Sequence, residues 1–219
     1  MSKVIISMLP ELGHVNATLR LARSLNARGH EVYYLATADY EAYLKRQGLR
    51  FICLGETLTD STDAPLRIME SLLDVRIHCQ PLEPHLARIV QLFRDQIAAL
   101  VGELEPDLFM IDPHTPEIAL IAHELSVPYV FLNNVLFGPL EDTPLNDVAP
   151  YLLRVPEIIL CPQEFDFPEQ VGRGNRKRYY VGAEVDLQRH EEPFDWSRID
   201  AEKPLIYCSF GSQSELYPN

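Results

Sequence analysis

Two rhythms of apolar spacing alternate along this chain. Short runs of β-branched and aromatic residues, Val4–Met8, Glu31–Ala36 and Arg50–Leu54, read as strands, and the segments between them carry a period near that of a helix. Val15, Leu19, Ala22 and Leu25 recur at steps of four and three, predicting a helix over Val15–Arg28 that ends at Gly29. A shorter helix over Tyr40–Gln47 stops at Gly48. After the polar stretch Gly55–Ala64, helices are expected over Pro65–Ile77 and Pro84–Leu104, each opened by a proline suited to a first helical turn. A strand over Asp107–Ile111, a helix over Pro116–Leu125 and a strand over Pro128–Leu132 follow, with further short strands at Glu157–Cys161 and Tyr179–Val181. Strands alternating with helices of these lengths predict an α/β fold: a Rossmann-like, doubly wound parallel sheet with helices on both faces.

The pattern also divides the chain. Residues 1–182 carry the alternating elements, whereas 183–203 turn charged and irregular around Pro193 and Trp196, as an interdomain linker does. A new apolar strand, Leu205–Ser209, then leads into Phe210, Gly211 and Ser212, so that 204–219 reads as the start of a second domain. A strand without neighbours is poorly supported, and this one is expected to be frayed, docked on the first domain or paired with another copy.

Composition narrows the function classes. Nineteen Lys and Arg against 32 Asp and Glu give a formal charge of -13, which repels phosphate backbones and anionic membrane surfaces. Nucleic acid is therefore not an expected partner, and the cationic run Arg173–Arg178, interleaved with Gly and Asn, reads as a solvated loop. Cys53, Cys79, Cys161 and Cys208 are scattered without a C-x-x-C pair, which suggests reduced thiols in a cytoplasmic protein rather than a disulfide framework or zinc site. No apolar run approaches the roughly 20 residues a membrane span needs, and the first residues lack a signal-peptide pattern.

Candidate chemistry gathers at one edge. The first strand-to-helix turn, Pro10-Glu11-Leu12-Gly13-His14, lacks the G-x-G-x-x-G spacing of a dinucleotide site and presents an imidazole instead. In the strand order 3-2-1-4-5 the fourth strand lies beside the first, about 4.8 Å away, and its carboxyl end carries Asp112. A carboxylate bonded to one imidazole nitrogen fixes the tautomer and leaves the other nitrogen as a base. His14 and Asp112 then form a general-base pair; the competing reading is a helix-start histidine and an aspartate capping the helix near Pro116, and spacing alone leaves both open. His14, Asp112 and His114 could also be imagined as a metal triad, but no second shell is evident and no metal is expected. Gly13, Asn133, Asn134 and Phe137 end at the same edge and are the candidate acceptor-binding residues.

Three segments resemble one family. Met8–Leu19 (MLPELGHVNATL) resembles the opening of the UDP-glycosyltransferases of GT-B fold, especially macrolide-type bacterial members, whose turn reads G-H-x-N-P; here Ala17 stands where proline is usual. Asp107–Pro128, ending A-x-E-L-x-V-P, is similar to the family's second segment, and Leu205–Ser212 to the opening of its donor domain. The resemblance implies the N-terminal, acceptor-binding half of an inverting glycosyltransferase. In it His14 deprotonates a hydroxyl of a small lipophilic acceptor, Asp112 orients His14, and Gly211 and Ser212 lie near the diphosphate of a nucleotide sugar, expected to be UDP-linked, with no cofactor. By the same resemblance the chain alone, lacking most of the donor domain, is expected to fold but not to transfer sugar. A nucleotide-sugar epimerase of the same fold and a non-catalytic ligand-binding domain are the alternatives.

Overall fold

A computed structural model describes residues 1–54, 83–135, 150–166, 177–191, 193–200 and 202–207. Seven strands form one parallel sheet: β1 Lys3–Ser7, β2 Glu31–Ala36, β3 Arg50–Cys53, β4 Leu108–Ile111, β5 Tyr129–Asn133, β6 Glu157–Ile159 and β7 Arg178–Tyr180, in the order β3-β2-β1-β4-β5-β6-β7. The helices are α1 Leu12–Asn16, α2 Leu19–Ala27, α3 Glu41–Arg46, α4 Glu83–Leu104 and α5 Pro116–Glu124. The expected doubly wound architecture is present.

Alternation along each strand sorts the core into two layers. Val4 and Ile6 of β1, Val32 and Tyr34 of β2 and Met110 of β4 pack with Val15, Leu19, Ala22 and Leu44 of α1 to α3. Ile5, Leu35, Phe109 and Ile111 point the other way and pack with Phe93 and Ile97 of α4 and Ile118 and Ile121 of α5. The period of two in the strands thus feeds both faces, which is why β1 and β4 read as continuous apolar runs.

Gly29 and Gly48 end α2 and α3 as expected, at φ of 86° and 72°. In each case the next residue's N–H reaches back to the helix, His30 to the Leu25 carbonyl (3.1 Å) and Leu49 to the Leu44 carbonyl (3.1 Å), a closure that needs the left-handed conformation.

Two expectations are corrected. The single helix over Val15–Arg28 is two helices, because the Thr18 hydroxyl donates to the Val15 carbonyl (2.8 Å) and meets the buried Tyr34 hydroxyl (2.7 Å), tightening the chain between α1 and α2. The expected helix over Tyr40–Gln47 is present as α3, preceded by a 3₁₀ turn over Ala38–Tyr40. Of the expected strand Leu205–Ser209, the described residues Leu205–Tyr207 form no strand and pair with no other described strand; they lie 60, 86 and 85% exposed. The expected helix over Pro65–Ile77, Cys79 and Cys208 lie outside the described residues.

The segment that follows β7 is irregular but fastened. Fully buried Gln47 donates to the His190 carbonyl (2.9 Å) and accepts from its N–H (2.9 Å), while Arg23 binds Asp186 (2.8 Å) and the Gln47 carbonyl (2.7 Å). Among the described residues no helix is long and apolar enough to cross a membrane.

Candidate active site

Parallel pairing of β1 with β4 matches Ser7 with Ile111, so the next residue, Asp112, emerges at the end of β1, where its N–H donates to the Ser7 carbonyl (2.8 Å). On the β1 side the chain turns at Leu9 to Glu11 and enters α1, whose short coil returns His14 over the same edge. Two residues far apart in sequence meet: His14 Nδ1 lies 2.6 Å from Asp112 Oδ2. The same oxygen accepts the Leu9 N–H at 3.2 Å, and Oδ1 accepts both the N–H of His114 (2.8 Å) and its ring Nδ1 (3.0 Å).

Asp112 is fully buried. Burial by itself pushes its carboxyl up; the hydrogen bonds from His114 and His14 and the charges of the two rings more than reverse this and hold it well below the usual carboxylate range. An ionised carboxylate only accepts, so Nδ1 of His14 carries the proton and Nε2 keeps the lone pair when the ring is neutral. That Nε2 faces the Glu11 carboxylate at 4.0 Å, and the ring is only slightly exposed. The rings of His14 and His114 are edge-on, with centroids 5.5 Å apart. Tyr40 lies close enough to feel Glu11; burial first, then that carboxylate, pushes its phenol up to about 12, so it remains a neutral hydroxyl.

The capping alternative for Asp112 is not what the structure shows. The residue at the start of α5 is Thr115, no side-chain cap bond is made there, and the Asp112 oxygens go to the two histidines and Leu9. The triad imagined as a metal site is also brought together, with one ligand atom of each of His14, Asp112 and His114 within 4.8 Å of the others. As they stand, both carboxylate oxygens face imidazole nitrogens at hydrogen-bond distance, so an ion would have to displace these bonds.

The remaining candidates separate. Gly13 is exposed at the crevice, and its carbonyl accepts a long bond, 3.4 Å, from Asn134, whose Oδ1 is buried without a hydrogen-bond partner among the described residues. Asn133, its neighbour, is not a pocket wall: it is buried, donates to Glu157 (2.8 Å) and accepts from the Val135 N–H (2.9 Å), so both ends of its amide are consumed. Phe137, Gly211 and Ser212 lie outside the described residues. Sequence reasoning missed the grip of His114 on Asp112, for which the D-x-H spacing was the available signal, and the approach of Glu11 to His14, one helical turn apart. A separate open depression, lined by His123, Tyr129, Tyr151 and Arg154, sits at the amino ends of β5 and β6, the opposite edge of the sheet.

No protein-family model matches the chain. It is 27% identical over 257 aligned positions to the NDP-glycosyltransferase YjiC of Bacillus subtilis (strain 168), covering 100% of this chain and 60% of that protein. It is 25% identical to the zeaxanthin glucosyltransferase of Pantoea ananas over 83% of this chain and 39% of that one. The chain thus spans well under two thirds of the length of either relative. Among solved structures, the glycosyltransferase SsfS6 of Streptomyces sp. SF2575 superposes with a TM-score of 0.58 at 19% identity, over 93% of this chain and 60% of that chain. The same enzyme complexed with thymidine diphosphate gives a TM-score of 0.52 at 20% identity, over 76 and 51% of the two chains. These likenesses establish the fold as the Rossmann-like half that GT-B glycosyltransferases share.

Proposed function

We propose that this chain is the acceptor-binding half of an inverting glycosyltransferase that moves a sugar from a nucleotide sugar, UDP-linked in the simplest case, to a hydroxyl of a small lipophilic acceptor. The observation that carries the reading is the 2.6 Å contact between His14 Nδ1 and a fully buried Asp112 at the carboxyl edge of the sheet. His14 Nε2 takes the proton from the acceptor hydroxyl as its oxygen bonds to the anomeric carbon; the bond from that carbon to the diphosphate breaks on the opposite face, and the nucleoside diphosphate leaves. Asp112 holds the productive tautomer and stabilises the imidazolium that forms. Gly13, Asn134 and Phe137 would line the acceptor side, and the orphaned Oδ1 of Asn134 gives that side an unused acceptor atom.

In this reading residues 1–182 form the acceptor domain, 183–203 the linker and 204–219 the opening of a donor domain in which Gly211 and Ser212 approach the diphosphate. Binding of thymidine diphosphate by SsfS6 supports a nucleotide-linked donor. The scattered spacing of the cysteines, with no C-x-x-C pair in the sequence, favours a cytoplasmic setting. The test is mass-spectrometric screening of the full-length protein against mixed nucleotide sugars and hydroxylated aglycones; a sugar-mass adduct that disappears in His14→Ala supports the reading, and no adduct across both panels overturns it.

A further inference from the structure

The helix that carries His14 is too short to hold itself. α1 has five residues, no side chain caps its start, and isolated segments of this length are not helical in water. Its bearing comes from its neighbours, and three consecutive residues face three of them. Successive side chains turn by roughly 100° about a helix axis, so His14 and Asn16 project on nearly opposite sides with Val15 between them. His14 meets Asp112 beyond β4, Val15 is buried in the core with Leu19 and Leu44, and Asn16 accepts at its amide oxygen from the hydroxyl of Tyr43 on α3. Apolar burial of Val15 is non-directional and would let α1 roll about its axis, swinging His14 across the crevice; a hydrogen bond on each flank stops the roll.

Tyr43 is itself a fixed point. The Arg46 guanidinium lies over its ring, 5.7 Å from the centroid. Burial first, and then the Glu191 carboxylate, push its phenol up, so it stays a donor. The end of α3 is tied in turn. The Gln47 N–H donates to the Tyr43 carbonyl (3.1 Å), both ends of the Gln47 amide bond the His190 backbone (2.9 Å each), and Arg23 of α2 donates to the Gln47 carbonyl (2.7 Å). We infer that Tyr43, a residue outside the cluster of His14, Asp112 and His114, is a positioning residue for His14: its hydroxyl, held by α3, fixes α1 through Asn16 and so sets where Nε2 points. The inference rests on the reading of His14 as the base. Asp112 holds the ring at Nδ1 alone, about which it can pivot, and proton transfer needs Nε2 within hydrogen-bond reach of the acceptor hydroxyl.

The experiment follows backbone hydrogen exchange by mass spectrometry in the 219-residue chain as wild type, Tyr43→Phe, Asn16→Ala and Asn16→Asp. Turnover of the same full-length variants is measured on the donor and acceptor pair found by the screen above. In Tyr43→Phe and Asn16→Ala the α1 amides should exchange about 5- to 10-fold faster, as expected for one lost hydrogen bond, while β1 and β4 exchange as in the wild type. Asn16→Asp, whose carboxylate still accepts from the phenol, should keep α1 protected. Turnover should fall about 5- to 20-fold in Tyr43→Phe and Asn16→Ala at unchanged acceptor KM, and the double variant should be no slower than either. Unaltered α1 exchange in both single variants overturns the inference, and so does equal acceleration throughout the sheet, which would mark a merely structural bond. Normal turnover with α1 loosened, or an Asn16→Asp that exchanges as fast as Asn16→Ala, overturns it as well. Should full-length His14→Ala keep its turnover, the proposed function falls, and the exchange measurement, which needs no sugar transfer, still decides whether Tyr43 fixes α1.

Discussion

Two carboxylates are buried in this sheet to the same degree and are put to different uses. Glu157, at the start of β6, is 1% exposed; it accepts from Asn133 on β5 (2.8 Å) and from the partly buried Arg178 on β7 (3.2 Å). All three sit inside the ladder, where Glu157 pairs in register with Phe131 and Arg178. Asp112 lies one residue beyond the ladder, and its side-chain partners are imidazoles. A guanidinium stays charged at any ordinary pH, whereas an imidazole gains and loses its proton between about pH 5 and 8. Burial is equal; the partner decides whether the carboxylate ties strands together or holds a proton that can move.

The largest effect that would test this contrast is on rate. In the full-length protein, His14→Ala should lower kcat by about 10² to 10⁴ while sparing donor affinity. Steady-state kinetics at neutral pH check this, and near-normal turnover would mean that another residue is the base. Of similar size in energy, but on stability alone, Arg178→Met should cost about 3 to 5 kcal/mol in denaturant unfolding, because it takes the guanidinium away from a buried Glu157 carboxylate. Turnover of the full-length variant, under conditions where it stays folded, should not respond; a loss as large as that of His14→Ala would mean that the two regions are coupled and that the contrast fails.

Asp112→Asn joins both kinds of effect. Turnover should fall at least about tenfold, since an amide can offer the wrong partner to Nδ1. The stability difference from wild type should also depend on pH. Because the folded carboxyl is held below its ordinary 3.8, its contribution is fully present above that value and lost as pH falls toward the folded one. The wild-type advantage should accordingly shrink by about 1 kcal/mol between pH 7 and pH 3 in urea unfolding; an advantage equal at both would show that the site does not favour the ionised form. The smallest effects separate the adjacent asparagines. Asn133→Ala should cost about 1 to 3 kcal/mol by removing one donor from the buried Glu157 carboxylate. Asn134→Ala should change stability by less than about 0.5 kcal/mol and raise the acceptor KM instead.

Much of this was legible along the chain because the deciding physics is local. Period-two runs such as Val4-Ile5-Ile6 announce strands buried on both faces, Gly29 and Gly48 announce helix ends, and the strand order expected for such alternation brings Asp112 to His14. Polar partnerships were the part that sequence could not order. Thr18 breaks a helix that its spacing supports, because the Tyr34 hydroxyl waits on the next strand. Gln47, an ordinary surface residue by type, is fully buried because the backbone of His190 lies against it. Asn133 and Asn134 are neighbours in sequence, yet one closes on Glu157 of β6 and the other turns to Gly13 at the crevice. Apolar burial is non-directional and roughly additive, so its pattern survives in one dimension; a hydrogen bond is directional and needs its partner within about 3 Å, and that partner is supplied by segments only the folded chain brings near.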